Sequence, residues 1–187
     1  MDIKAAIILV IVLLVVVAVG AWLLQRKRTS DRLRNRFGPE YAKTIEATST
    51  KREAEAELLG RAKRVDAFKL KSLTPGEREH FIEAWRTVQA DFVDNPKSAV
   101  ARADLLLGEV METRGYAVAD FEQRSADLSV DHPVVVQNYR AAHDIAVRHG
   151  RGEAGTEDLR QAMIYYRALF DDLTVEAAPV VPKARVE

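Results

Sequence analysis

The sequence contains no cysteine. Its 187 residues therefore cannot form a disulfide, a thiol nucleophile, a Cys-ligated zinc site or an iron–sulfur cluster. Strand signals are also scarce, because few segments alternate apolar and polar residues with a period of two. Neither sign of charge is in excess, since 28 basic residues face 28 acidic ones. The chain has room for one modest domain with appendages.

The balanced charges are unevenly distributed along the chain. Residues 25–43 carry seven basic and two acidic side chains, a net charge of +5. Since residues 1–24 are neutral, the chain from Thr44 onward carries −5. An acidic body is a poor partner for nucleic acid, so we expect no nucleic-acid binding.

Ala5 to Leu24 form a run of twenty residues without a charge. A helix of this length measures about 30 Å, the thickness of the hydrocarbon core of a bilayer. We therefore predict a short N-terminal segment at 1–4 and an uncleaved transmembrane helix at 5–24. The alternatives are a buried core helix and a cleavable signal peptide, for which Val19 and Ala21 could form the cleavage site.

Basic residues follow this run, whereas a single lysine precedes it. The imbalance predicts a single-pass signal-anchor protein of the inner (plasma) membrane with the bulk of the chain in the cytoplasm. The alternative is an extracytoplasmic body. The lipid bilayer is then a partner, and the residues predicted at its interface are Trp22, Arg26, Lys27, Arg28 and Arg32.

The chain after the apolar run is predicted to be all-α. A basic juxtamembrane segment at 25–43 contains Phe37-Gly38-Pro39, which ends any helix that precedes it. Segment 44–73 is predicted to be a helical stalk that packs on the body or weakly on a second copy, which would give a homo-oligomer. Its apolar stripe consists of Ala54, Leu58, Ala62, Val65 and Phe68.

Segment 74–173 is predicted to fold as an antiparallel helical bundle of four to five helices, because apolar stripes repeat behind helix starts with short connections. The starts are Thr74-Pro75-Gly76-Glu77, Asp94-Asn95-Pro96, Asp131-His132-Pro133, and Thr156 as the cap of the last helix. A short helix is expected around Phe121 to Leu128, and Gly115 as a helix stop. The stripes are Phe81, Trp85, Val88 and Phe92; Ala99, Ala103, Leu106 and Val110; Val135, Tyr139, Ala142 and Ala146; and Leu159, Met163, Tyr166, Phe170 and Leu173. The tail at 174–187 is predicted to be disordered.

No motif commits the chain to a chemistry. Gly150 to Gly155 match G-x-G-x-x-G, but the match follows a helix rather than a strand, which favours an ordinary loop. The four histidines lack the spacing of metal ligands. We therefore predict no catalytic, cofactor-binding or metal-binding residue and expect no enzymatic activity. Tyr139, His143 and Tyr166 are expected to form a structural network, with a small-ligand pocket between helices as the alternative.

Several blocks of the chain carry a resemblance. They are LRNRFGPEYAKTIE, AWRTVQADFVDNP, RGYAVADFEQRSADLSVDHPVVVQNYRAAH and TEDLRQAMIYYRALFDDL, within Leu33 to Leu173. Together they resemble a family of uncharacterised bacterial single-pass membrane proteins. The resemblance implies a bacterial envelope protein and supplies no activity.

Two functions from different classes are consistent with the sequence. The first is a membrane-anchored α-helical interaction or scaffold module at the cytoplasmic face, which would bind another protein. The second is a membrane-tethered enzyme or small-ligand sensor with a pocket between the bundle helices. The first is favoured because no catalytic motif is present.

Overall fold

The structure is a computed structural model that describes residues 3–175, with side chains from residue 11 onward. This part of the chain contains eight helices and no strand, which confirms the all-α prediction. The helices are α1 (Ile3–Phe37), α2 (Pro39–Ala47), α3 (Lys51–Asp66), α4 (Pro75–Asp91), α5 (Pro96–Thr113), α6 (Phe121–Asp131), α7 (Val135–Gly150) and α8 (Thr156–Thr174). The predicted disordered tail lies outside the described residues from position 176 onward.

The chain divides into two compact units, Met1–Leu59 and Gly60–Glu187. The division falls inside α3, within the segment that the sequence predicts as a stalk. Along the apolar stripe of that helix, Ala54 and Leu58 are buried in the first unit. Ala62 and Val65 are buried in the second unit.

The first unit forms because the chain reverses at Gly38. This glycine has φ +48°, a left-handed conformation that glycine adopts without steric cost, and Pro39 follows as the first residue of α2. The predicted helix end at Phe37-Gly38-Pro39 is therefore confirmed. The turn packs α2 against α1 and buries Leu33, Phe37 and Tyr41.

A buried carboxylate joins the helices of the first unit. Glu55 is 8% exposed and accepts hydrogen bonds from the Ser30 hydroxyl at 2.5 Å and the Tyr41 hydroxyl at 2.8 Å. Lys51 Nζ lies 3.6 Å from the same carboxylate oxygen. Burial opposes ionisation, but the two hydrogen bonds and the lysine charge outweigh it and lower the pKa of Glu55 below its ordinary value.

Within the described part of the chain, no helix is both long and apolar enough to cross a membrane. Of the predicted span, Ala5 to Val10 lie outside the residues whose side chains are described. Charged residues continue the helix from Arg26. The lack of such a helix among the described residues contradicts the predicted transmembrane helix and the predicted localisation in the inner membrane.

Capping residues and glycines set where the helices of the second unit begin and end. Thr74 and Glu77 form the predicted capping box, in which the Thr74 hydroxyl accepts from the Glu77 N–H at 3.3 Å and the Glu77 carboxylate accepts from the Thr74 N–H at 2.8 Å. Gly115 ends α5 with φ +97°, as predicted. The predicted Thr156 cap is wrong. Gly155 is the N-cap of α8, and its N–H donates to the Asp158 carboxylate at 2.8 Å.

The predicted stripes form most of the core of the second unit. Phe81, Trp85 and Val88 are buried on α4, and all predicted inward residues of α5 and α8 are buried. On α7, Tyr139 and Ala142 are buried as predicted, whereas Val135 and Ala146 are only partly buried. Val136 and Ile145 take the buried positions instead. The buried face of α7 is therefore rotated relative to the prediction.

The direction of the bundle helices follows from contacts at their ends. The start of α4 and the end of α5 line the same groove, so these helices are antiparallel. His132, before α7, contacts Asp172 near the end of α8, so α7 and α8 are antiparallel as well. Arg114, after α5, donates to the Leu173 carbonyl at 2.9 Å. Because α5 and α8 pack together and end together, they run in the same direction.

We predict that Trp85→Ala lowers the free energy of unfolding by about 3–5 kcal/mol, the range for emptying a large aromatic site. Trp85 is 4% exposed, and its ring stacks on Phe170 with 4.7 Å between centroids. Trp85→Phe should lose much less, because it keeps an aromatic ring and removes a buried indole N–H without a hydrogen-bond partner. Thermal and urea unfolding followed by circular dichroism measure both. Val93→Ala is the exposed control, and an equal loss in the Trp85→Ala and Val93→Ala variants would contradict the prediction.

We predict that Gly115→Ala destabilises the chain more than Gly152→Ala does. Both glycines have positive φ, +97° and +77°, so each substitution should cost about 1–2 kcal/mol of backbone strain. A Cβ at Gly115 would also lie 2.6 Å from the Lys69 carbonyl oxygen, whereas a Cβ at Gly152 would meet nothing within 4 Å. Melting curves of the two variants measure the difference. Identical losses would show that the segment around Lys69 yields without cost.

Candidate functional site

Tyr139 of α7 and Tyr166 of α8 face each other in the core of the second unit. Their ring centroids are 6.0 Å apart with an interplanar angle of 53°, and neither side chain is exposed. The tyrosines lie on the apolar stripes of antiparallel neighbours, which brings them to the same level of the bundle. The structure therefore places two of the three residues of the predicted pocket in contact.

Asp104 and Arg124 form an ion pair between two other helices, and this pair contacts Tyr139. We call the two tyrosines and the ion pair the cluster. The Tyr139 hydroxyl donates to Asp104 Oδ1 at 3.1 Å, and Arg124 Nη2 donates to Asp104 Oδ2 at 3.2 Å. The Arg124 guanidinium also lies 5.9 Å from the centroid of the Tyr139 ring. Asp104 is on α5 and Arg124 on α6, so one carboxylate joins three helices. Hydrogen bonds to a charged group are stronger than neutral ones, so the cluster holds α5, α6 and α7 in a defined relative position.

His143 lies at the edge of the cluster rather than between the tyrosines. Its imidazole stacks on Phe121 with centroids 3.6 Å apart and an angle of 9°. The Phe121 ring also lies 5.0 Å from that of Tyr139, so Phe121 contacts both side chains. Phe121, Asp104 and Arg124 were not predicted as members of this site from the sequence. Asp104 and Tyr139 are 35 positions apart, and no local pattern announces such a pair.

The electrostatics of the cluster keep both phenols protonated. Burial raises the pKa of Tyr139, and the negative charge of Asp104 raises it further. The same two causes raise the pKa of Tyr166. Neither hydroxyl is suited to act as a base near neutral pH. The arrangement can hold helices together, and its two buried phenols present no surface to a ligand.

A groove runs along the outer side of the α4–α5 pair, and we call it the acidic groove. It consists of two adjoining cavities of about 550 and 320 Å³ that share Glu109. Apolar side chains form its floor, and acidic side chains lie along its rim. The lining residues are Gly76, Glu77, His80, Phe81, Ala84, Thr87, Val88, Arg102, Leu105, Leu106, Glu109, Glu112 and Thr113.

The remaining motifs have structural positions. Gly150 to Gly155 form the turn between α7 and α8, where His149 Nδ1 lies 2.7 Å from the Ala154 carbonyl oxygen. His132 ends α6 and contacts Asp172. No group of three or more histidine or acidic side chains that could hold a metal ion occurs in the part of the chain that the structure describes.

The residues predicted at a membrane interface lie along α1. All five, Trp22, Arg26, Lys27, Arg28 and Arg32, are exposed, and the Arg26 guanidinium lies 5.5 Å from the centroid of the Trp22 ring. The apolar residues before them are exposed on every side of the helix. Their exposed fractions range from 50% at Val19 to 63% at Leu14. This stretch, Ile11 to Leu24, is called the apolar helix below.

No family model, curated protein or solved structure matches this chain. The resemblance to bacterial single-pass membrane proteins therefore stays a prediction.

We predict that the free energy of unfolding falls as the pH rises above about 10 and that Tyr139→Phe reduces this fall. The pKa of Tyr139 is raised above its ordinary value of 10.0, and that of Tyr166 is raised as well. Stability from a raised pKa is fully present below the unfolded value and is lost as the pH rises through the folded value. Unfolding in urea at several pH values measures the loss, and absorbance at 295 nm reports tyrosinate. Ionisation of all five tyrosines in the folded chain near pH 10 would contradict the prediction.

Proposed function

We propose that the chain is an α-helical scaffold module that assembles with further copies of itself through the apolar helix and presents its bundle to another protein. The observation that supports this proposal is the exposure of the apolar helix. Eleven large apolar side chains are exposed between Ile11 and Leu24. Contiguous apolar surface on this scale marks an interaction site, because single chains rarely leave it open to water.

The distribution of these side chains favours several neighbours. A helix that packs on one partner has one apolar stripe, whereas a helix that is apolar all round is buried on all sides. Consecutive residues such as Leu13, Leu14 and Val15 point in different directions on a helix and are all exposed. The apolar helix therefore fits the centre of an assembly of several like helices.

The energetics support association. Full burial of one Val, Leu or Ile side chain contributes about 1.5–3 kcal/mol. Association costs an estimated 4–15 kcal/mol of translational and rotational freedom. Several buried side chains per copy offset that cost, and the apolar helix offers eleven. The burial of Tyr139 and Tyr166 gives less support to the alternative of a ligand pocket at those residues.

We predict that the full chain sediments as a discrete oligomer and that the combined substitutions Leu13→Glu and Val17→Glu shift it to the monomer. These residues are one helical turn apart, and burying two carboxylates in an apolar assembly is strongly unfavourable. Sedimentation velocity over a range of concentrations measures the change. The matched control is Arg28→Glu with Arg32→Glu, exposed residues one turn apart on the same helix, which should leave the oligomer intact.

Three outcomes would overturn the proposal. The unmodified chain could sediment as a monomer, or it could form heterogeneous aggregates that the two glutamates do not resolve. It could also bind phosphatidylcholine vesicles as a monomer, which flotation of the full chain with vesicles would detect. Each outcome removes self-assembly as the role of the apolar helix.

A further inference from the structure

A dense group of positive charge directly follows the apolar helix, and we call it the basic collar. The collar consists of five exposed side chains, those of Arg26, Lys27, Arg28, Arg32 and Arg34. The stretch that contains them has one acidic residue, Asp31. Among the described residues, none of the five cations forms an ion pair, and Arg26 and Arg34 contact aromatic rings instead. The charge of the collar therefore acts on any molecule that packs beside α1.

A continuous helix holds the collar at one end of the apolar helix. Helix α1 runs without interruption over Ile3–Phe37. At a rise of about 1.5 Å per residue, the collar begins about 3 Å beyond Leu24 and more than about 20 Å from Ile11. Helix α2 packs beside the same end of α1, where Leu33 and Phe37 are buried. The positive charge and the folded part of the first unit are therefore both at the collar end.

Parallel packing of two copies would bring their collars together. Packed helices lie about 8–10 Å apart, and the Debye length at physiological ionic strength is about 8 Å. Like charges at that distance are only partly screened, so the five cations of one copy would repel those of its neighbour. The folded parts of the first units would also meet at one end. Parallel packing is therefore opposed at the collar.

Antiparallel packing removes this repulsion and keeps the apolar contacts. When the apolar helices overlap in opposite directions, the collars of two neighbours lie about 25 Å or more apart, well beyond the Debye length. The free energy of apolar burial is roughly proportional to the area buried, and both orientations bury the same side chains. Charge therefore decides between the two orientations.

We propose that the basic collar directs neighbouring copies to pack antiparallel through the apolar helix. The orientation rests on the self-assembly proposed above, and it identifies the partner as a second copy that runs in the opposite direction. The second unit follows the collar in the chain, so antiparallel copies attach their bundles at both ends of the shared apolar core. Such an assembly bridges two molecules of a partner protein, whereas a parallel assembly attaches all its bundles at one end.

A two-fold axis between antiparallel copies distinguishes the two orientations, because a residue on the axis meets its own counterpart. Overlap of the uncharged run of residues 5–24 places that axis near Leu14, and overlap of the apolar helix places it near Val17. The two copies of Leu24 would then lie about 20 Å or more apart. In a parallel pair, each of the three residues lies beside its counterpart. A disulfide needs Cα atoms about 4.4–6.8 Å apart, so disulfide trapping separates the arrangements.

We predict that Leu14→Cys or Val17→Cys forms intermolecular disulfides in the full chain at least about tenfold faster than Leu24→Cys does. The chain has no cysteine of its own, and the three side chains are similarly exposed, at 63%, 60% and 60%. The cations of the collar favour the thiolate at position 24, so slow trapping there reflects distance rather than reactivity. Mild oxidation followed by gels without reductant measures the rates.

Charge reversal tests the cause of the orientation. Arg28→Glu with Arg32→Glu lowers the net charge of residues 25–43 from +5 to +1, since each reversal changes the charge by two. The oligomer should remain, and the trapping rate of Leu24→Cys should rise toward that of the middle positions, because parallel packing is no longer opposed. A rate at position 24 that charge reversal does not change would overturn the proposal.

The two proposals fail in different ways. Equal rates at the three positions, or trapping at none of them, would overturn the antiparallel arrangement if the chain sediments as an oligomer, and would leave self-assembly intact. A chain that sediments as a monomer would overturn self-assembly and the orientation together. Adding Leu13→Glu and Val17→Glu to Leu14→Cys should abolish trapping. Trapping that persists in this variant would come from random collision and would also overturn the antiparallel arrangement.

Discussion

The burial of α8 between α5 and α7 is the constraint on which the second unit depends. Its apolar stripe runs from Leu159 to Leu173, and Phe170 reaches further to stack on Trp85 of α4. Four helices therefore share one core through a single element. Each fully buried side chain of the stripe contributes about 1.5–3 kcal/mol, roughly a tenth to more than half of the net stability of an ordinary domain. Hydrogen bonds to buried side chains then fix how the other helices of the unit lie around α8.

Hydrogen bonds fix the relative positions of helices, which apolar burial alone does not determine. The free energy of apolar burial is roughly proportional to the area buried, so it changes little when two helices slide past each other. A hydrogen bond to a carboxylate requires a specific geometry. Asp104 accepts from Tyr139 and Arg124 and so sets α5, α6 and α7 at one level. In the first unit, Glu55 of α3 joins α1 and α2 in the same way, through Ser30 and Tyr41. Each of these carboxylates accepts hydrogen bonds from side chains of two other helices.

The sequence predicted those features whose determinants are close together in the chain. The capping box at Thr74 and the stop at Gly115 require only neighbouring residues, and both are confirmed. The Thr156 cap failed because Asp158 can satisfy the Gly155 N–H from three residues away. On α7, the predicted stripe included Val135 and Ala146, but the helix packs against α5, α6 and α8, and Val136 and Ile145 are buried instead.

The candidate site was predictable only in part. Tyr139 and Tyr166 were found because they lie on helical stripes, yet their partner Asp104 lies just off the stripe of α5. A single acidic residue beside an apolar face looks the same whether it is solvated or paired across the bundle. Which of the two occurs depends on the position of α6, and a period along one helix carries no information about that. The pairing becomes visible only when the tertiary contacts are known.

The apolar helix shows how one pattern supports different conclusions. Twenty uncharged residues predict a membrane span, but the described residues provide no helix that meets the requirement. We propose that association between copies covers this exposed apolar surface. Apolar association provides affinity without specificity, because any aliphatic surface can satisfy it. The acidic groove has the opposite character, since its charged rim selects the sign of its occupant. In the proposed assembly each copy would contribute one acidic groove, so association of the apolar helices would bring several grooves together.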